Sequence, residues 1–218
     1  MPLTVFSNVG PLGNNVYVVW DQATRRAMLV DTAIQSESVW DYLRQENLTL
    51  STILNTHGHL DHVYNNAFFK AKAPDAPLLL HKADMYLLES MQESAQHWGI
   101  SVEDSPTPDG FLEGGAQLTL GETALDVLHT PGHTPGSVSL YAPGWVITGD
   151  ALFRGSIGRT DLPGGSLPTI LGSIKTQLFT LPDDTLVYPG HGADSTIGEE
   201  KETNPFLQEG YLRRAGYM

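Results

Sequence analysis

The chain has no cysteine. That absence removes disulfides, thiolate nucleophiles and cysteine-ligated zinc from any account of its chemistry. Positive charge is scarce: 12 Lys and Arg stand against 25 Asp and Glu, a formal net charge of −13. A nucleic-acid surface needs a basic footprint, so no nucleic acid is expected as a partner. No apolar run approaches the roughly 20 residues of a membrane-spanning helix, so no membrane association is expected either. The opening Met1-Pro2-Leu3-Thr4-Val5-Phe6 lacks a basic segment followed by an apolar stretch and a small-residue cleavage site. It does not read as a secretory signal, and a cytoplasmic protein is the expectation. No charged block is long enough to make a disordered tail. There is also no Gly-x-Ser-x-Gly element of the kind that carries a serine nucleophile.

What is present is organised around Thr56-His57-Gly58-His59-Leu60-Asp61-His62. Residues 51–55 before it form an apolar run that reads as a strand. In an extended segment residues i and i+2 point the same way, so His57 and His59 can present two imidazoles to one point. Gly58 is expected to let the backbone turn between them. Asp61 and His62 then face a second point, where the chain bends into a helix. Neutral imidazole and carboxylate are the ligands that borderline divalent metals take. The plainer reading is a polar loop whose histidines bond to backbone. Three further segments favour the metal. His133 lies in Thr130-Pro131-Gly132-His133-Thr134-Pro135-Gly136, Asp150 ends the run Trp145-Val146-Ile147-Thr148-Gly149, and His191 lies in Tyr188-Pro189-Gly190-His191-Gly192. Each follows a strand-like run and sits beside glycine, as ligands carried on loops at strand ends would.

The pattern His-x-His-x-Asp-His, followed by single His, Asp and His, resembles that of the metallo-β-lactamase fold superfamily. Spacing and the phrase Gly149-Asp150-Ala151-Leu152-Phe153 look most like its glyoxalase II branch, the hydroxyacylglutathione hydrolases. The resemblance runs from about Asn14 to Phe206. It implies an α/β fold, a four-layer αβ/βα sandwich of two mixed β-sheets with outer helices. It assigns one metal to His57, His59 and His133, a second to Asp61, His62 and His191, and a bridging role to Asp150. It places Asp31 beneath the metals, although Asp31 alone reads equally well as a turn or cap residue. It implies hydrolysis of an S-2-hydroxyacylglutathione thioester, S-lactoylglutathione giving glutathione and lactate, by a hydroxide held between two divalent metals that Asp61 helps to orient. Zinc leads on the nitrogen and oxygen donors, and iron or manganese also fits.

Rival readings differ in metal and chemistry. A persulfide dioxygenase would use one iron, and such enzymes resemble the chain at Gly158-Arg159-Thr160-Asp161. A lactone hydrolase can use the same seven ligands. A binding module would hold metal without turnover. The β-lactamase subclasses with a thiolate ligand are excluded by the missing cysteine. Glyoxalase II enzymes also carry a basic C-terminal helical region that holds glutathione. Here only Lys201, Arg213 and Arg214 are basic after His191.

A chain of 218 residues, 40% hydrophobic and 17% charged, suits one soluble domain spanning 1–218. Residues 16–20 and 27–30 read as strands of a hairpin, and residues 38–47 as a helix with Val39 and Leu43 inward. Residues 62–72 read as one helix with Ala67, Phe68 and Ala71 as its apolar positions. Residues 77–81 form a strand and 82–96 a second helix. Residues 98–115 read as a long loop bordering the site's mouth. Short strands follow at 118–120, 123–129, 137–141 and 146–148. The residues at 153–165 read as a polar loop, in which Arg159 either clamps Asp161, the favoured reading, or binds a substrate carboxylate. Ser166 reads as the N-cap of a helix to Phe179. Thr196 opens another through a near capping box, and Asn204-Pro205-Phe206 breaks it. The tail 207–218 reads as weakly amphipathic. His81, His97 and His129 are taken as structural or solvent-facing.

Overall fold

The computed structural model describes residues 1–214. Two six-stranded sheets carry the fold. The first holds, side by side, β1 (Leu3–Val9), β2 (Asn14–Trp20), β3 (Arg26–Val30), β4 (Thr49–Leu54), β5 (Leu78–His81) and β6 (Gly110–Leu112). Its first three strands run antiparallel, and β3 through β6 run parallel. The second sheet has β7 (Gln117–Leu120), β8 (Thr123–His129), β9 (Val138–Ala142), β10 (Trp145–Gly149), β13 (Leu186–Pro189) and β14 (Ser195–Thr196) in that order. Between β10 and β13, which pair in parallel, lies a hairpin of β11 (Leu152–Phe153) and β12 (Ser156–Ile157).

Side-chain alternation decides how these sheets stack. Within β2 and β3, Tyr17, Val19, Met28 and Val30 point into a core shared with Leu125, Val127, Leu140 and Ile147 of the second sheet. Their neighbours Val16, Val18, Ala27 and Leu29 point the other way. There they meet Val39 and Leu43 of α1 (Ser38–Gln45) and Phe69 of α3 (Asn66–Lys72). The outer face of the second sheet, through Val146 and Val187, packs on Ile170 of α6 (Leu167–Ser173), Ile174 and Leu178 of the wide turn that continues it, and Ile197 of α7 (Ile197–Thr203). A strand apolar on both faces must be covered on both, and the result is helix, sheet, sheet, helix. The four-layer sandwich expected from the sequence is the fold observed.

Several elements differ from what the sequence pattern predicts. β1 and β6 both appear where no strand was expected. β6 pairs in parallel with β5 across a long crossover that holds α4 and α5, so no hairpin signal marks it. The helix at 62–72 is two, α2 (Leu60–Val63) and α3, and its core residue is Phe69, with Ala71 exposed. The helix at 82–96 breaks into a 3₁₀ turn at Lys82–Asp84, then α4 (Met85–Glu89) and α5 (Met91–Trp98). The start of the loop after Asp150 is the β11–β12 hairpin. Ser166 does cap α6, accepting from the Thr169 N–H, and Thr196 caps α7 through the Glu199 N–H. The tail continues as α8 (Glu209–Arg214), and residues 215–218 of the amphipathic reading lie outside the described residues. Among the described residues no helix is long and apolar enough to cross a membrane.

Candidate metal centre

Four elements of the two sheets end at one edge and deliver the seven side chains there. β4 runs out into His57 and His59, and α2 then carries Asp61 and His62. The turn between β8 and β9 carries His133, β10 ends one residue before Asp150, and β13 ends two residues before His191. A bridge between Asn14 and His191 ties this last loop to the first sheet.

The donor atoms gather around two points. His57, His59 and His133 form one group, with Nδ1 of His59 and Nε2 of His133 2.8 Å apart. Asp61, His62 and His191 form the other: Nε2 of His62 lies 3.2 Å from Nε2 of His191 and 3.4 Å from Oδ2 of Asp61. Asp150 stands between them. Its Oδ1 is 3.4 Å from His62 Nε2, and its Oδ2 is 3.6 Å from both His133 Nε2 and His191 Nε2.

The outward ring nitrogens show why the inward ones are free. His62 Nδ1 donates to Asp31 Oδ2 at 2.8 Å, His133 Nδ1 to the Arg159 carbonyl at 2.8 Å, and His191 Nδ1 to the Leu12 carbonyl at 3.1 Å. His57 Nδ1 faces Thr56 Oγ1 at 3.1 Å, and that hydroxyl itself donates to Asp31. With Nδ1 holding the proton, the lone pair of each Nε2 points inward. Two inward atoms, Nε2 of His57 and Oδ1 of Asp150, are buried with no hydrogen-bond partner. An orphaned buried acceptor is costly, and a cation at each point would satisfy it. The donor set therefore fits two divalent ions of the kind that imidazole and carboxylate take.

Electrostatics splits the cluster in the same place. Burial and the neighbouring histidines hold His57 well below the ordinary imidazole value. Burial and His133 hold His59 down to about 3. Burial also opposes charge on His62, but the carboxylates of Asp61, Asp150 and Asp31 outweigh it and lift the ring to about 10. Burial raises Asp61, yet His62, His191 and the Asn14 amide hold it far below the usual carboxylate range. One point therefore favours neutral imidazoles, and the other favours cationic charge.

Asp31, with its backbone in the left-handed region at φ +63°, proves to be a support beneath the cluster, accepting from Thr56 N at 2.7 Å and from His62. Arg159 pairs with Asp161 through Nε and Nη2, at 2.8 and 2.7 Å, as the clamp reading expects. Two contributors were missed. Asn14 donates to Asp61 Oδ2 at 2.9 Å, and nothing in a strand-opening asparagine signals that. Asp84, fully buried, accepts from Gly58 and from the His133 loop. Of the remaining histidines, His81 stacks on His129 and His97 is exposed, and none joins the seven. The segment 98–115 does reach the mouth. Trp98 and Ile100 line an apolar cavity of about 210 Å³ with Leu12, Ile34 and Leu60, and Asp61 borders it.

Comparison with known proteins agrees with this geometry. The family model of the metallo-beta-lactamase superfamily matches residues 9–191. Hydroxyacylglutathione hydrolase GloC of Haemophilus influenzae is 37% identical over 210 residues, 95% of this chain and 96% of that protein. The crystal structure of BLEG-1 B3 metallo-beta-lactamase superposes with a TM-score of 0.87 at 34% identity, covering 95% of this chain and all of that one. TTHA1623, solved in a di-iron-bound form, gives a TM-score of 0.85 at 39% identity, covering 94% of this chain and all of that one.

Proposed function

Because the chain belongs to the metallo-beta-lactamase superfamily, a superfamily of metallo-hydrolases, we propose that it hydrolyses thioesters of the S-2-hydroxyacylglutathione class, S-lactoylglutathione to glutathione and lactate. The observation that carries this is the pair of donor clusters joined by Asp150, with free lone pairs converging on two points. His57, His59 and His133 would hold one divalent ion, Asp61, His62 and His191 a second, and Asp150 both. Zinc is the leading ion from the donors, and the di-iron form of TTHA1623 keeps iron in view.

Divalent ions so held would supply a hydroxide near neutral pH, since a metal-bound water has its pKa lowered from about 15.7 to about 7, and would polarise the scissile carbonyl. The chain's own residues do the rest. Asp61 borders the cavity at the mouth, so its carboxylate stands where it can orient the attacking water. Asn14 holds that carboxylate in place. A thiolate leaving group needs little help from an acid, since a free thiol has a pKa of about 8.5. That suits a centre whose own histidines are committed to lone-pair donation. After His191, Lys201 pairs with Asp183 and Arg213 reaches Glu209.

Zinc-reloaded protein should cleave S-lactoylglutathione, and metal-stripped protein should not. No cleavage by protein shown to hold two ions per chain would discard this substrate. A β-lactam and lactone panel would then follow. One iron per chain with oxygen uptake on glutathione persulfide would favour the dioxygenase instead.

A further inference from the structure

Asp84 closes the 3₁₀ turn Lys82–Asp84 and stands directly before α4, where an aspartate ordinarily caps the helix through its side chain. It does not. Its carboxylate makes no capping bond to α4, and the residue is wholly buried. There it accepts three hydrogen bonds from two other loops. Gly58 N donates to Oδ2 at 2.9 Å, Thr134 Oγ1 to Oδ2 at 2.7 Å, and Gly136 N to Oδ1 at 2.6 Å. Gly58 lies between His57 and His59, and Thr134 follows His133. The three residues of one donor cluster thus hang on the two loops that this carboxylate joins.

The glycines give the arrangement away. Neither Gly58 nor Gly136 has a positive φ, so neither is needed for a left-handed turn. A Cβ on Gly136 would lie 2.6 Å from the Asp84 carboxylate, and one on Gly58 would lie 3.1 Å from Asp84 Cβ and 2.9 Å from Leu87 Cβ. Both are glycine because the backbone must come close enough to donate. The expected turn at Gly58 is therefore a close approach. The same short segment grips the His133 loop a second time: His81 stacks on His129, whose Nε2 donates to the Pro135 carbonyl at 2.9 Å.

We propose that Asp84 is the positioning residue of the His57–His59–His133 cluster, setting the distance between the two loops so that three imidazoles meet one divalent ion. The inference rests on the metal-dependent reading of the site. The second cluster has other supports, Asp31 on His62 and Asn14 on Asp61, and so serves as an internal control.

The test is stepwise titration of metal-stripped protein with Co²⁺, following its visible absorption and the two dissociation constants, on wild type, Asp84→Asn and Asp84→Ala. Asparagine keeps the shape but offers one acceptor oxygen where three donors converge. Asp84→Asn is expected to weaken one site roughly 10- to 100-fold and alter its spectrum, leaving the other site near its wild-type constant. Asp84→Ala should do more. Equal loss at both sites in step with a fall in Tm would reduce Asp84 to a general structural residue and overturn the proposal. So would no change at either. Should both variants fail to fold, Thr134→Val removes one of the three bonds: a smaller loss confined to one site supports the proposal, and none overturns it. A wild-type chain that takes up no Co²⁺ would sink the metal reading itself.

Discussion

Asp31 answers three donors with one carboxylate: Thr56 N, Thr56 Oγ1 and His62 Nδ1. Through Thr56 it also sets the His57 ring. Asp31→Asn keeps a residue that tolerates the left-handed backbone at φ +63°, so the fold should survive. It replaces an acceptor by a donor facing other donors. Metal affinity should fall roughly 10- to 100-fold, as for other partners of metal-bound histidine, which competition with a chelator would measure. Unchanged affinity would mean that His62 needs no outer carboxylate. Proton linkage at the same rings gives a second expectation, for the metal-stripped chain. His57 and His59 stay neutral in the fold where the unfolded chain protonates, so stability falls as pH drops below about 6.5 toward 3. His62 behaves oppositely. It keeps its proton until about 10, so its contribution is full below about 6.5 and is lost as pH rises through 10. Stripped protein should therefore be most stable near pH 6.5. Bound metal replaces those protons, so loaded protein should gain stability above that pH. A Tm profile of stripped protein still climbing from pH 7 to 9 would contradict the assignment of His62.

At the scale of elements, the cluster was legible in the sequence because its seven residues sit in turns after strands or, for Asp61 and His62, in the short helix that directly follows one, where local spacing is a direct guide to geometry. His57 and His59 needed only period two, and His133, Asp150 and His191 needed only an apolar run and a glycine. Asp84 was not legible, because before Met85 it looks like a cap or a helix interior, and its partners are 26, 50 and 52 residues away in sequence. β6 was hidden for the same reason, and Phe69 because Phe68 beside it is equally apolar while only α3's packing on the sheet tells them apart. The mouth illustrates an element at work. Trp98 ends α5 at 57% exposure, large and apolar in solvent, and Leu12 reaches from the β1–β2 turn at 39%. Exposed apolar side chains around a cavity suggest contact with substrate. Trp98→Ala should raise KM for S-lactoylglutathione several-fold and change kcat little, because Trp98 lines the cavity but is not one of the seven donors. A fall in kcat with KM unchanged would instead tie α5 to the chemistry.

Across the whole molecule the two clusters divide unevenly between the sheets. Loops of the first sheet supply His57, His59, Asp61 and His62, and loops of the second supply His133, Asp150 and His191. Each point takes residues from both. An ion at either point therefore ties sheet to sheet at an edge where the alternative is a set of buried, unpaired lone pairs and carboxylates. Ions that bind only the folded chain stabilise it by about 2.7 kcal/mol at a free concentration 100 times Kd. Tm should accordingly rise with the logarithm of free metal and fall on stripping. A net charge of −13 adds to this, since each divalent ion also offsets self-repulsion. Asp150 is the one residue both points share, so Asp150→Asn separates the two effects. It should bind fewer ions per chain than wild type, lose most activity, and show a smaller rise of Tm with added metal. Its stripped form should be less stable than stripped wild type, because Asp150 is one of the carboxylates that hold the proton on His62. Wild-type stoichiometry in Asp150→Asn would end the bridging assignment and leave two independent ions to be explained.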